Sequence, residues 1–206
     1  MIHDNPAPEL GKVKVRSKQL QLPSREQFTA LVASVRAAGG WCSKQCGDLI
    51  EFLAYSGCRL IEAGFVTWKD VDLDGGMIWI HGDPKHGTKN WERRQMPIIP
   101  PMHRLLEDLR ANPRVVRDLN RAAGDYVLAV TECQKAIDAA SSKLQITRFT
   151  HHSLRHVFAT QSIESGIDVP TVAKWLGHKD GGAVALKTYG HLRTEHSLQM
   201  AKKVNF

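Results

Sequence analysis

The residue types able to do chemistry crowd into the last third of this 206-residue chain. In Thr150-His151-His152-Ser153-Leu154-Arg155-His156, His152 and Arg155 stand three residues apart, a spacing that puts imidazole and guanidinium on one face of a helix. An arginine fork binds two phosphate oxygens at once, and a neighbouring imidazole can donate a further hydrogen bond or move a proton. By itself the string reads equally well as a histidine-rich surface helix. Its context favours chemistry: Leu176-Gly177-His178 adds an imidazole at a helix end, and Tyr189 follows eleven residues later. Far upstream, Gly57-Cys58-Arg59-Leu60-Ile61-Glu62 offers a second arginine at a helix start, with Glu62 placed to orient it.

Other chemistries fail on spacing. The stretch GDPKHGTK at 82–89 has two glycines at P-loop separation, but Thr88 precedes Lys89 and a strand follows, so phosphate would find no helix N-terminus. Cys42 and Cys46 lack a second close pair to complete a tetrahedral zinc site. Neither a GxSxG nor an HExxH string occurs. Four cysteines at uneven spacing, with no export signal, read as reduced thiols.

Charge adds a partner class. Lys and Arg number 28 against 21 Asp and Glu, a net +7, and the excess is patchy. Residues 11–36 carry six basic side chains and Glu26 alone, 37–80 carry three against six acids, 81–121 nine against five, and 151–206 seven against four. One positive face for a polyanion fits this pattern, as does an ordinary basic protein. A 42% hydrophobic fraction excludes wholesale disorder. No apolar run approaches membrane-spanning length, and the N-terminus lacks the order of a signal peptide, so the expectation is a soluble, cytoplasmic protein.

The elements that must position these residues are mostly helical. Residues 1–22 show no period and read as a basic linker or arm. Ser24 and Gln27 form a capping box ahead of the apolar stripe Phe28, Leu31, Val32 and Val35, which stops at Gly39-Gly40. Helices are then expected over 45–55 and 59–66, strands over 68–73, 77–80 and 94–99, and helices near 101–111, 131–143, 152–165, 169–176 and 194–203. Asp74-Gly75-Gly76 supplies the tight turn between the first two strands. The fold class is mainly α (α+β), a helical domain over 23–206 with a small three-stranded antiparallel sheet and a C-terminal tail at 194–206.

The order of these motifs resembles the catalytic domain of tyrosine recombinases, the phage integrase family. The likeness spans about residues 22–192: Gly-x-Arg-x-x-Glu, a lysine in a strand turn, His-x-Leu-Arg-His, Leu-Gly-His and a final tyrosine. It implies Arg59 and Arg155 as phosphate-clamping arginines, His152 and His178 at the two histidine positions, Tyr189 as nucleophile and Lys85 as general acid. Glu62 and His156 are supporting residues. The turn from His81 to Arg93 also contains Lys89, which stays open as the acid. Family members usually carry an N-terminal helical domain, here replaced by the arm, so the expectation is a catalytic fragment or a minimal enzyme.

The chemistry suits the residue types. A phenol with the ordinary pKa near 10 is about one-thousandth ionised at neutral pH and needs charge stabilisation and a proton acceptor. Two arginines supply the first and neutralise a pentacoordinate phosphate, the role metals play in many nucleases, so neither metal nor other cofactor is expected. The implied partner is double-stranded DNA, with self-association on it, a synaptic tetramer in the family, and no membrane. Relaxation of supercoils by a type IB topoisomerase and DNA binding without cleavage are the competing functions.

Overall fold

The computed structural model describes residues 21–82, 93–114, 125–178 and Lys202. The basic arm to residue 20, the turn with Lys85 and Lys89, and the segment with Tyr189 and the expected tail helix lie outside them.

Local chemistry starts and stops the helices where the sequence indicated. Helix α1 (Arg25–Arg36) opens on a reciprocal box: Gln27 donates its backbone N–H to Ser24 Oγ at 3.2 Å, and Ser24 donates to Gln27 Oε1 at 3.0 Å. It buries Leu31, Val32 and Val35. Helix α2 (Ser43–Ser56) is the central element, buried on nearly every face and packed by α1 and by two later helices, α4 (Pro100–Ala111) and α6 (His151–Glu164). Its one deeply buried acid, Asp48, receives Arg36 and Arg114, each at 2.9 Å, and so ties α1 and the end of α4 to α2.

Gly57 ends α2 with φ +60°. A side chain there would strain the backbone and collide with the Phe158 ring and Leu176. The chain can therefore reverse tightly into α3 (Leu60–Phe65), which Glu62 caps from within by accepting the Arg59 backbone N–H at 2.8 Å.

The sheet is antiparallel, in the order β1 (Val71–Asp72), β2 (Met77–Ile80), β3 (Arg94–Pro97), with Ile80 opposite Arg94 and Met77 opposite Pro97. Two strands are shorter than expected. Over 68–70 the chain makes a 3-10 turn because Asp70 accepts both the backbone N–H and the hydroxyl of Thr67, at 2.9 and 2.7 Å. Strand β3 stops before 99 because Ile99 caps α4, whose first turn holds Pro100 and Pro101.

Helices α5 (Gln134–Lys143) and α7 (Val169–Leu176) complete the order. Phe52, Phe149, Leu49, Ile78, Met96 and Leu106 are among the fully buried side chains of one core, which supports α2 and β3 from below while α3, α6 and the end of α7 meet at one rim. No described helix is long and apolar enough to cross a membrane.

Candidate active site

Helix α6 begins where Thr150 and Ser153 cap each other, with Ser153 N–H donating to Thr150 Oγ1 at 3.3 Å and Thr150 N–H to Ser153 Oγ at 3.1 Å. This start fixes which face each following residue takes. His151 goes to the far side, within 3.3 Å of Cys133 Sγ and of Glu132 Oε1. His152, Arg155 and His156 occupy another. Arg155 is 4% exposed and spans the gap between helices, donating from Nη1 to the Gly57 carbonyl and from Nη2 to the Leu176 carbonyl, each at 2.6 Å. A single guanidinium thus joins the end of α2 to the end of α7.

Arg59 leads into α3 with its side chain 51% exposed, its Nη1 2.8 Å from Glu62 Oε1. Glu62, 2% exposed, also accepts a fork from Arg94, at 3.1 Å to Oε1 and 2.6 Å to Oε2. The cluster therefore holds Arg59, Arg94 and Arg155 against one carboxylate, a surplus of two positive charges in a partly desolvated rim. Burial pulls Arg155 down to about 10, helped by the charges of Arg59 and Arg94. Such a surplus is complementary to an anion carrying two charges, as a phosphodiester does on reaching a pentacoordinate transition state.

The histidines gather on the same rim. His152 and His156 meet edge to face, ring centroids 4.5 Å apart. Burial lowers His156 to about 4, with His152, Arg155 and His178 adding to the shift. His152 is lowered by desolvation of its protein-facing side and by Arg155 and Arg59. Both are uncharged at neutral pH and able to accept a proton. Gly177 ends α7 with φ +70°, and the His178 backbone N–H returns to Ala173 at 2.9 Å, which sets the imidazole at the rim.

The structure thus brings together Arg59, Glu62, His152, Arg155, His156 and His178, residues up to 119 positions apart in sequence. Lys85, Lys89 and Tyr189 fall outside the described residues. Arg94 is the member that motif spacing missed. Its signal was the two-residue period of β3: Met96 is buried, so Arg94, two positions earlier, points the same way. Cys42 and Cys46 have sulfurs 3.9 Å apart, and no group of three metal-type donors is gathered among the described residues.

Glu62 gives the site a pH signature. Its four hydrogen bonds from Arg94 and Arg59, with the charge of Arg94, outweigh the burial that would raise it, and its pKa falls from 4.5 to about 2. A depressed carboxylate contributes stability that is complete above the unfolded value and is lost as pH falls through the folded one. The window is therefore pH 4.5 down to about 2, and the full contribution is about 3 kcal/mol. In urea titrations the stability gap between wild type and Glu62→Gln is expected to narrow by about 2 kcal/mol between roughly pH 6 and pH 3. A gap that did not change with pH would remove the carboxylate from the account.

A helical domain with a small antiparallel sheet and an arginine-rich anion rim is the class that fold and site define. The family model described as the phage integrase family matches residues 25–196, and the chain belongs to that family. It is 29% identical over 153 residues to tyrosine recombinase XerC of Xanthomonas axonopodis pv. citri (strain 306), covering 72% of this chain and 47% of that one. It is 30% identical over 156 residues to tyrosine recombinase XerA of Saccharolobus solfataricus, covering 74% and 50%. The chain spans about half the length of the curated relatives it matches. Among solved structures, the Tn1549 transposon integrase in complex with a circular intermediate DNA superposes with TM-score 0.69 at 15% identity, over 93% of this chain and 68% of that one. The catalytic domain of bacteriophage HP1 integrase gives 0.62 at 20%, over 90% and 95%.

Proposed function

We propose that this chain is the catalytic domain of a site-specific DNA recombinase that cuts and rejoins double-stranded DNA through a 3′-phosphotyrosyl intermediate. The observation that carries the reading is the rim itself: three guanidiniums against one carboxylate, with neutral imidazoles beside them. Tyr189 attacks the scissile phosphorus, its oxygen forming the new P–O bond while the bond to the 5′ oxygen breaks. The phenolic proton passes to His152, and the departing 5′ oxygen takes a proton from Lys85, or from Lys89 in the same turn. Arg59 and Arg155 neutralise the added charge on phosphorus, and His178 donates to a non-bridging oxygen.

Because the arginines carry that charge, no step calls for a divalent metal, and because the phosphotyrosine keeps the bond energy, rejoining needs no ATP. Residues 23–206 form the catalytic unit, with residues 1–22 a basic arm that holds phosphates, and the protein self-associates on its DNA in the cytoplasm. The XerC and XerA likeness supports recombination over relaxation.

Incubation with a nicked suicide duplex, followed by a denaturing gel, is the test: a covalent protein–DNA band is expected without added metal or ATP. A mobility shift with no such band marks a DNA-binding module that does not cut. Relaxation of plasmids irrespective of sequence marks a topoisomerase.

A further inference from the structure

We propose that Arg94 is a positioning residue that locks the two sides of the phosphate clamp together, holding Arg59 through Glu62 and His178 through the end of α7. The proposal rests on the recombinase reading above. Arg94 is the first residue of β3, 12% exposed at its side chain. Its two terminal nitrogens take one carboxylate oxygen each of Glu62, and its Nε donates to the Trp175 carbonyl at 2.8 Å.

Each contact reaches a different part of the rim. The carboxylate it grips is the same one that accepts the Arg59 backbone N–H and Nη1, both at 2.8 Å. The carbonyl it caps lies three residues before His178, next to the Leu176 carbonyl that Arg155 holds. Arg94 therefore sets the angle of Arg59 without touching the phosphate, and sets where α7 stops. Gly177 completes the fit. A Cβ there would come within 3.2 Å of Arg94 Cδ and Nη1, so the glycine of Leu-Gly-His also leaves the guanidinium room to cross.

A structural role alone predicts different behaviour. Lysine keeps the charge but offers one nitrogen, which cannot grip both carboxylate oxygens and the Trp175 carbonyl together. If Arg94 acts through Arg59, its loss should matter only where charge on phosphorus must be neutralised. A methylphosphonate at the scissile position lacks one such charge and separates the two cases.

The experiment follows adduct formation by the full 206-residue chain on nicked suicide duplexes with a phosphodiester or a methylphosphonate at the cut. Arg94→Ala and Arg94→Lys are expected to slow the phosphodiester reaction about 100-fold, the scale of a misplaced catalytic group. On methylphosphonate the loss shrinks to about threefold or less, because the clamp charge no longer decides the rate. In an Arg59→Ala background, adding Arg94→Ala costs less than about threefold more, as expected of residues acting as one unit.

Equal losses on both substrates, or full additivity with Arg59→Ala, overturn the proposal. Amide exchange without DNA tests the placement independently: Arg94→Ala should speed exchange at the Arg59 and His178 amides while those in α2 keep their protection. Unchanged exchange at both amides also overturns it. A wild-type chain that makes no adduct on either substrate defeats the recombinase reading instead, and the exchange result alone then decides the placement.

Discussion

Tyr189→Phe is expected to form no covalent adduct at all, with DNA affinity within about twofold of wild type, since such a change alters surface energetics by about 0.5 kcal/mol or less. The substitution removes one oxygen, the only atom of the ring that can bond to phosphorus, and leaves the ring. The chain has three tyrosines, and the structure argues against a substitute. Burial, with the Glu51 carboxylate beside it, raises Tyr55 to about 12, and its ring packs on Phe28 away from the arginine rim. Tyr126 belongs to a backbone bridge with Thr67. The Tyr55 phenol, held protonated, is a poor nucleophile. The denaturing gel decides: an adduct from the Phe variant overturns the mechanism, while the fold and the family membership stand.

The fold was legible where one local interaction determines an element. Ser24 with Gln27, and Gly57 and Gly177 after apolar runs, mark helix ends by capping chemistry that a few neighbouring residues settle. The stretch 68–73 was less legible because Trp68 and Val71 carry strand propensity. What breaks that strand is Asp70, which prefers the Thr67 backbone and also meets His81 Nε2 at 2.9 Å, a partner eleven residues away.

The site divides the same way. Arg59 and Arg155 stand in short strings whose spacing already pairs a guanidinium with an acid at the start of α3 and with an imidazole on one face of α6. Arg94 stands beside Arg93 in a charged turn and looks like another solvated cation. Arg93 does behave so, exposed and lying 5.1 Å from the Trp79 ring centroid. Only the pairing of β3 with β2, and the arrival of α7 eighty-one residues later, turn Arg94 inward onto Glu62 and Trp175. The two-residue period of β3 gives the face Arg94 takes, that of buried Met96, but the partners it meets there have no signature in the spacing of neighbouring residues.

The two arginines proposed as the phosphate clamp should fail differently. Arg59 leans on a single carboxylate that Arg94 continues to satisfy, and half its side chain is in solvent. Arg59→Ala therefore keeps its melting transition and slows adduct formation about 1,000-fold, or about 4 kcal/mol of transition-state stabilisation, with ground-state DNA binding weakened far less. Arg155 is buried and holds two carbonyls at helix ends. Arg155→Ala leaves both without their donor and opens a gap between α2 and α7, so it should lose a comparable factor in rate and, in addition, about 3 kcal/mol of folding stability. Urea unfolding beside single-turnover cleavage separates the two effects. Loss of affinity in proportion to loss of rate at Arg59 would mean that the guanidinium binds the DNA ground state as strongly as the pentacoordinate phosphorus, and the clamp would then hold substrate without accelerating its cleavage.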